Sequence, residues 1–396
     1  MEQRRQQHNL QWYHETQSSM SGATPLEPQA TTIRDRFLLG PGAFADEALN
    51  TALRLRNGVF SASLASYHVL FPDKVILSHS VTLSLYDRLS TKLTVAQVTG
   101  VQYLCSHYAA RLAPLHSSDA SRESNIRLAQ ITQYARQLAS QPMLICHKAL
   151  RQLGNVGLSP VDIITFSQII GFVSYQARVV AGVAALAGRP TISVPSFPYS
   201  ADAEGIAFTD RELAWQSRLP VVTVDEASAE QRQVLDHSPP QVHSESYYLL
   251  LAHDASALRE RNGVFININA KDGGLPAQLK ALATLAVSRR INGSRYCAAA
   301  VAQDIQDAGL VNALFATLTQ GLAKASNPAS QAVIRVVADL THTPEQFTSQ
   351  SVQPLFSSGL NQAQALDVIL TGAFYAWENR LRQTLGETTF SDSRGR

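Results

Sequence analysis

Charge is scarce in this 396-residue chain: Asp, Glu, Lys and Arg make up 16% of it, against roughly 25% in an average soluble protein. A surface that short of charge suggests further burial between subunits. Basic runs are missing too, since Lys+Arg 33 nearly cancel Asp+Glu 31, and a nucleic-acid binder would concentrate its positive charge on one face. Cysteine is limited to Cys105, Cys146 and Cys297, with no CxxC pair, which argues against a zinc site or a disulfide scaffold and suits a reducing compartment. HExxH, GxGxxG and CxxCH are all absent, so nothing here proposes a metal, nicotinamide, flavin or haem; the expected cofactor is none. Met1 to Thr32 is rich in Gln, Arg, His and Ser without the apolar core of a signal peptide, and reads as a disordered arm. The most apolar stretch, Ile163 to Ala187, is interrupted by Gln168, Gln176 and Arg178. A membrane span needs about 20 nearly unbroken apolar residues, so a buried helix is expected, in a soluble, cytoplasmic protein without membrane or nucleic-acid partners.

What is present is a repeat. Leu53 to Phe60 reads LRLRNGVF and Leu258 to Phe265 reads LRERNGVF, seven of eight positions matching 205 residues apart. A second set lies 202 residues apart. Leu138, Pro142, Leu153, Gly157, Leu158, Phe172 and Arg178 meet Leu340, Pro344, Leu355, Gly359, Leu360, Phe374 and Arg380, while Tyr175 meets Trp377. Two sets in nearly the same register imply a tandem duplication. The expected organisation is an arm at 1–32, a first copy at 33–188, a Pro/Ser/Asp-rich connecting segment at 189–244, a second copy at 245–390 and a disordered tail at 391–396.

Inside the copies the periodicity is helical. Leu275, Leu279, Leu282, Leu285 and Ala286 fall at three- and four-residue steps, as do Ile163, Phe166, Ile169, Ile170 and Val173, the spacing of an amphipathic helix. Strand-like alternation is scarce, with Val221 to Val224 the best short candidate. The fold class expected is all-α, two related helical bundles. In both RNGVF segments the Asn-Gly pair is expected to stop one helix.

Gly273 to Gly309 is the richest segment. Pro276 suits a helix start, the helix runs to Arg290, the chain turns at Asn292-Gly293, and a new helix follows with Ser294 or Asn292 as N-cap. This arrangement resembles the core of the alkylhydroperoxidase D-like, or carboxymuconolactone decarboxylase-like, superfamily. Its peroxidase-related branch is suggested by Leu251-Ala252-His253-Asp254 and by the stretch from Gly359-Leu360 to Asn379-Arg380. The resemblance implies an all-α bundle whose two cysteines, three apart at a helix start, reduce peroxides with a His and a carboxylate relaying protons. It also implies self-association, here as a dimer or trimer.

The pattern is eroded. Ser294 takes the place of the first cysteine and only Cys297 remains; Val301 stands at the His position and Ala281 at the acidic one. In the first copy, Leu83 to Tyr108 has no CxxC; one register places His107 at the family's His position, with Gly100 and Tyr103 at the cysteines. A disulfide cycle within either site is therefore excluded. Cys297 as a one-cysteine nucleophile, Ser294 as its hydrogen-bond donor and His253 as acid or base are the catalytic candidates. Tyr296, Arg380 and Trp377 are the substrate-pocket candidates. Each has a plainer alternative: Cys297 as a small buried residue, His253 as a capping residue, Arg178 and Arg380 as ties to helix-end carbonyls. Cys105 and Cys146, in the apolar contexts YLC and MLIC, read as core. The leading functional expectation is a peroxidase-like oxidoreductase acting on a small-molecule substrate with an external thiol as reductant. The alternatives are a non-redox binding or proton-transfer protein, or a pseudoenzyme scaffold.

Overall fold

The computed structural model describes residues 35–115, 121–189, 213–238, 245–270, 273–291 and 295–390. The arm 1–32, the tail 391–396, Ser294, and residues 190–212 and 239–244 of the connecting segment lie outside the described residues. The first half comprises α1 (Glu47–Leu55), α2 (Asn57–Leu70), α3 (Leu85–Thr99), α4 (Gln102–Leu112), α5 (Arg122–Ser140), α6 (His147–Asn155) and α7 (Pro160–Leu186). The connecting segment supplies strand β1 (Leu213–Ser217) and α8 (Ala229–Asp236). The second half comprises α9 (Ser246–Leu251), α10 (Ala255–Asn269), α11 (Ala277–Arg290), α12 (Arg295–Ala302), α13 (Ala308–Ala316), α14 (Leu318–Lys324), α15 (Pro328–His342), α16 (Ser349–Ser357) and α17 (Gln362–Leu385), closing on β2 (Gly386–Phe390). Apart from the β1–β2 pair, the described structure is all-α.

Local chemistry sets where these helices begin. Ser159 accepts the Asp162 amide while Asp162 accepts the Ser159 N–H, and Pro160 fills the first turn of α7. Ser84 and Asp87 form the same reciprocal cap on α3. Each such cap contributes about 0.5–2 kcal/mol by satisfying amides that have no partner in the helix. Farther in, α7 is apolar on every side, which suits only a helix surrounded by protein. It is the one described helix long and apolar enough to cross a membrane, and 94% of its most apolar window is buried inside the protein.

What covers α7 is chiefly α17. The two long helices pack against each other, and α2 packs against α10 in the same way. The turn Pro142–Leu144 sits on α17 while the turn Pro344–Gln346 sits on α7. Around this centre α3 and α5 pack on α7, and α11 and α15 pack on α17. Close approach depends on glycine: a Cβ on Gly171 would overlap the Trp377 indole. The elements at 142–186 recur at 344–385 with the spacing of the sequence repeat.

Two expectations need correction. The Asn-Gly pairs do not end helices. Asn57-Gly58 opens α2, after a break at Arg56, and Asn262-Gly263 lies inside α10. A Cβ on Gly58 would overlap the Asn267 side chain of α10, whereas one on Gly263 would make only ordinary contact with Ala62 of α2, so the first glycine is the one on which the close crossing depends. The strand in the connecting segment is Leu213–Ser217, antiparallel to Gly386–Phe390, whereas Val224 begins a short 3-10 turn.

Candidate functional site

Cys297 is the third residue of α12, only 6% exposed, with Ala298 buried beside it. Its surroundings come from three elements. Arg382 on α17 stacks its guanidinium over the Tyr247 ring at 3.9 Å and the Tyr296 ring at 4.8 Å. Its Nε donates to Glu378 at 2.5 Å, and it pairs with Glu245 as well. Tyr296 donates its hydroxyl to Glu245 at 3.1 Å, and Tyr247 donates to Glu378 at 3.2 Å. Arg261 completes the network by pairing with Glu378.

Burial alone would lower the Arg382 pKa, but Glu245 and then Cys297 outweigh it and raise it, so the guanidinium stays charged. Burial pushes Tyr247 and Tyr296 up to about 12 against the opposing pull of the nearby arginines. Both phenols are therefore neutral hydrogen-bond donors near neutrality. The arrangement couples a thiol to an arginine that is itself paired with two carboxylates, with two neutral phenols in the same network.

The other candidates lie elsewhere. Ser294 falls outside the described residues. His253 donates from Nε2 to the Pro220 carbonyl at 2.9 Å and lines a cleft of about 560 Å³ with Arg88, Asp162 and Asp254. Cys297 does not line that cleft. Both carboxylates there are engaged in capping: Asp162 accepts the amides of Thr82 and Leu83, and Asp254 accepts from Ala257 and from Thr165 Oγ1. Arg380 and Trp377 sit between the two halves. Arg380 is 4% exposed and donates to the carbonyls of Ala139 and Ala376, while Arg178 donates to those of Thr341 and Ser174. Burial lowers the pKa of both. These are the ties to helix-end carbonyls of the plainer alternative. Trp377 donates its indole N–H to Gln168 at 3.1 Å. Val301 is half-buried, Ala281 is buried in the core, and His107 belongs to a separate cluster in the first half.

Cys146 is the residue that sequence reasoning misplaced. It stands exposed just ahead of α6, and the backbone N–H groups of Ala149 and Lys148 hold its thiol below the ordinary value. Of its apolar neighbours Ile145 is buried while Met143 and Leu144 are half exposed, so the MLIC context did not decide where the cysteine falls. Cys105 fits its reading better, since burial pushes it up to about 12. Sequence reasoning also missed Arg382, Glu245 and Glu378; a Glu and an Arg one helical turn apart in an otherwise apolar helix was the available signal. Among the described residues no group of three or more His, Cys, Asp or Glu could hold a metal ion. No family model matches the chain, and no curated protein matches it either.

Proposed function

We propose that the chain is a thiol-dependent, peroxidase-like oxidoreductase built from two tandem alkylhydroperoxidase D-like copies, with Cys297 as its single redox cysteine. The observation that supports this reading is the electrostatic coupling of the buried Cys297 to the charged Arg382, whose guanidinium stacks on Tyr247 and Tyr296. A guanidinium in that position favours the thiolate, the reactive form of cysteine. The thiolate attacks one peroxide oxygen, the O–O bond breaks, and the alcohol leaves with the proton that the thiol gave up. Cys297 is then a sulfenic acid, oxidised by two electrons. With no second cysteine at the site, one external thiol condenses with it to a mixed disulfide and water. A second external thiol releases Cys297 and carries the disulfide away. A cytoplasmic setting, which supplies such thiols, and self-association as a dimer or trimer belong to the same reading.

The test is intact-mass analysis after stoichiometric organic peroxide, in a Cys146→Ser background so that the exposed thiol does not respond. A gain of one oxygen that disappears in Cys297→Ser supports the reading. An unchanged mass removes it. One observation favours a second reading: Cys297 is 6% exposed, and Arg382 already faces the two carboxylates of Glu245 and Glu378. Such a relay suits non-redox proton transfer on a small bound molecule.

A further inference from the structure

The two halves treat their buried cations differently. In the second half, Arg261 and Arg382 both pair with Glu378. The residue 202 positions earlier is Gln176, whose neutral amide accepts the Tyr108 hydroxyl and donates to the carbonyls of Arg36 and Phe37. Around it lie the basic groups Lys92, Arg111, Arg36 and His107, clustered at the Tyr67 ring and hydroxyl. Lys92 on α3 is 0% exposed and its Nζ has no hydrogen-bond partner. It lies 4.1 Å from the Tyr67 ring centre, 2.6 Å from that of Phe71 and 4.5 Å from that of Tyr108. Arg111 donates to the Tyr67 hydroxyl at 2.5 Å, and His107 Nε2 shares that hydroxyl at 3.0 Å. The other ring nitrogen of His107 is buried and has no partner.

Burial lowers the Lys92 pKa well below its ordinary value, and the charges it faces, Arg111, Arg36 and Arg88, lower it further. Asp73, at the outer edge, pairs with two of these cations. Asp73 is 85% exposed and only loosely held, 3.6 Å from Arg36 and 3.9 Å from Arg111. A buried ammonium with no partner is strongly unfavourable. A set of basic groups whose paired carboxylate is the exposed Asp73, and that includes a buried Nζ without a hydrogen-bond partner, is suited to an anion from outside.

We propose that the first half binds a small anion, a carboxylate or a phosphate, between Lys92, His107, Arg111 and Arg36, with the Asp73 side chain as the internal competitor for the outer part of the site. This site is independent of Cys297 and of the redox reading.

The test is titration calorimetry of the full chain, with sodium phosphate and sodium acetate as separate probes in a buffer lacking both groups. Saturable one-site binding of either probe is expected, the tighter one identifying the anion class. Lys92→Met should weaken it about tenfold or more, the usual effect of losing a charge-assisted hydrogen bond. Asp73→Asn, an exposed substitution that leaves the fold intact, should tighten binding several-fold, a change in the direction that a merely structural role would not produce. The proposal is overturned if neither anion gives a saturable isotherm, or if both variants bind as the wild type does.

Discussion

Tyr175 lies against Trp377 with ring centroids 5.7 Å apart and planes within 28° of parallel, each residue occupying the same place in its own long helix. Phe172 and Phe374 meet the edges of the same stack. The ring pair therefore holds α7 and α17 together, with the Tyr175 hydroxyl tied to Ser63 at 2.8 Å and the Trp377 indole to Gln168.

Trp377→Ala is expected to cost about 3–5 kcal/mol, the usual loss for emptying a buried aromatic site. Because the stack belongs to both halves, the variant should still melt in one transition when followed by circular dichroism. Two separated transitions would show that the halves are independently stable.

Cys146 should react first with an alkylating agent near neutrality, ahead of Cys297 and Cys105. Peptide mass mapping of a time course reads the order directly. Labelling of Cys297 at the same rate as Cys146 would contradict the burial described for it.

Acid should weaken the fold in a specific window. Burial, then Lys92, Arg111 and Arg36, push the His107 pKa down to about 3. Between its unfolded value of about 6.5 and that value, the unfolded chain binds a proton that the native state refuses. Stability is therefore lost as pH falls through this range, by up to about 1.4 kcal/mol per pH unit from this residue. Denaturant unfolding at pH 7 and pH 5 should show a smaller drop in His107→Gln than in wild type.

Lys92 acts in the same direction at higher pH. Its pKa is depressed in the native state, so the unfolded chain gains from protonation throughout the range below about 10.4. With no anion bound, in a buffer free of phosphate and carboxylates, Lys92→Met should accordingly melt at a higher temperature than wild type at pH 7, with the gap narrowing toward pH 9.5. A gap independent of pH would mean that the amine keeps its proton in the fold.

Much of the helical architecture was legible because it depends on local signals. Ile163 through Val173 and Leu275 through Ala286 carried their periodicity plainly, and the repeat pointed to residues that now face one another across the centre of the molecule. What stayed hidden depends on distant partners. Leu213–Ser217 becomes a strand only because Gly386–Phe390 supplies its ladder. Asn262-Gly263 stays helical inside α10, where the Asn262 side chain is held by Ser238 from the connecting segment. Lys92, in a polar stretch of α3, is buried by aromatic rings that other helices bring to it. The candidate residues separated for the same reason: Cys297 and Tyr296 share a site with Arg382, whereas His253 lines the cleft near Asp254 and Arg380 joins the two halves.

The pairing of α7 with α17 also sets an order of events during synthesis. The ribosome releases α7 long before α17, which begins at Gln362. At about 5–20 residues per second the wait is on the order of ten to forty seconds. Throughout it, the face of this 27-residue helix that α17 covers has no partner, although α3 and α5 can already pack on its other sides. Domains commonly fold one after another from the N-terminus; here the first half keeps one apolar face uncovered until the end of the second arrives. The nascent polypeptide is thus a natural client for a chaperone that shields apolar segments.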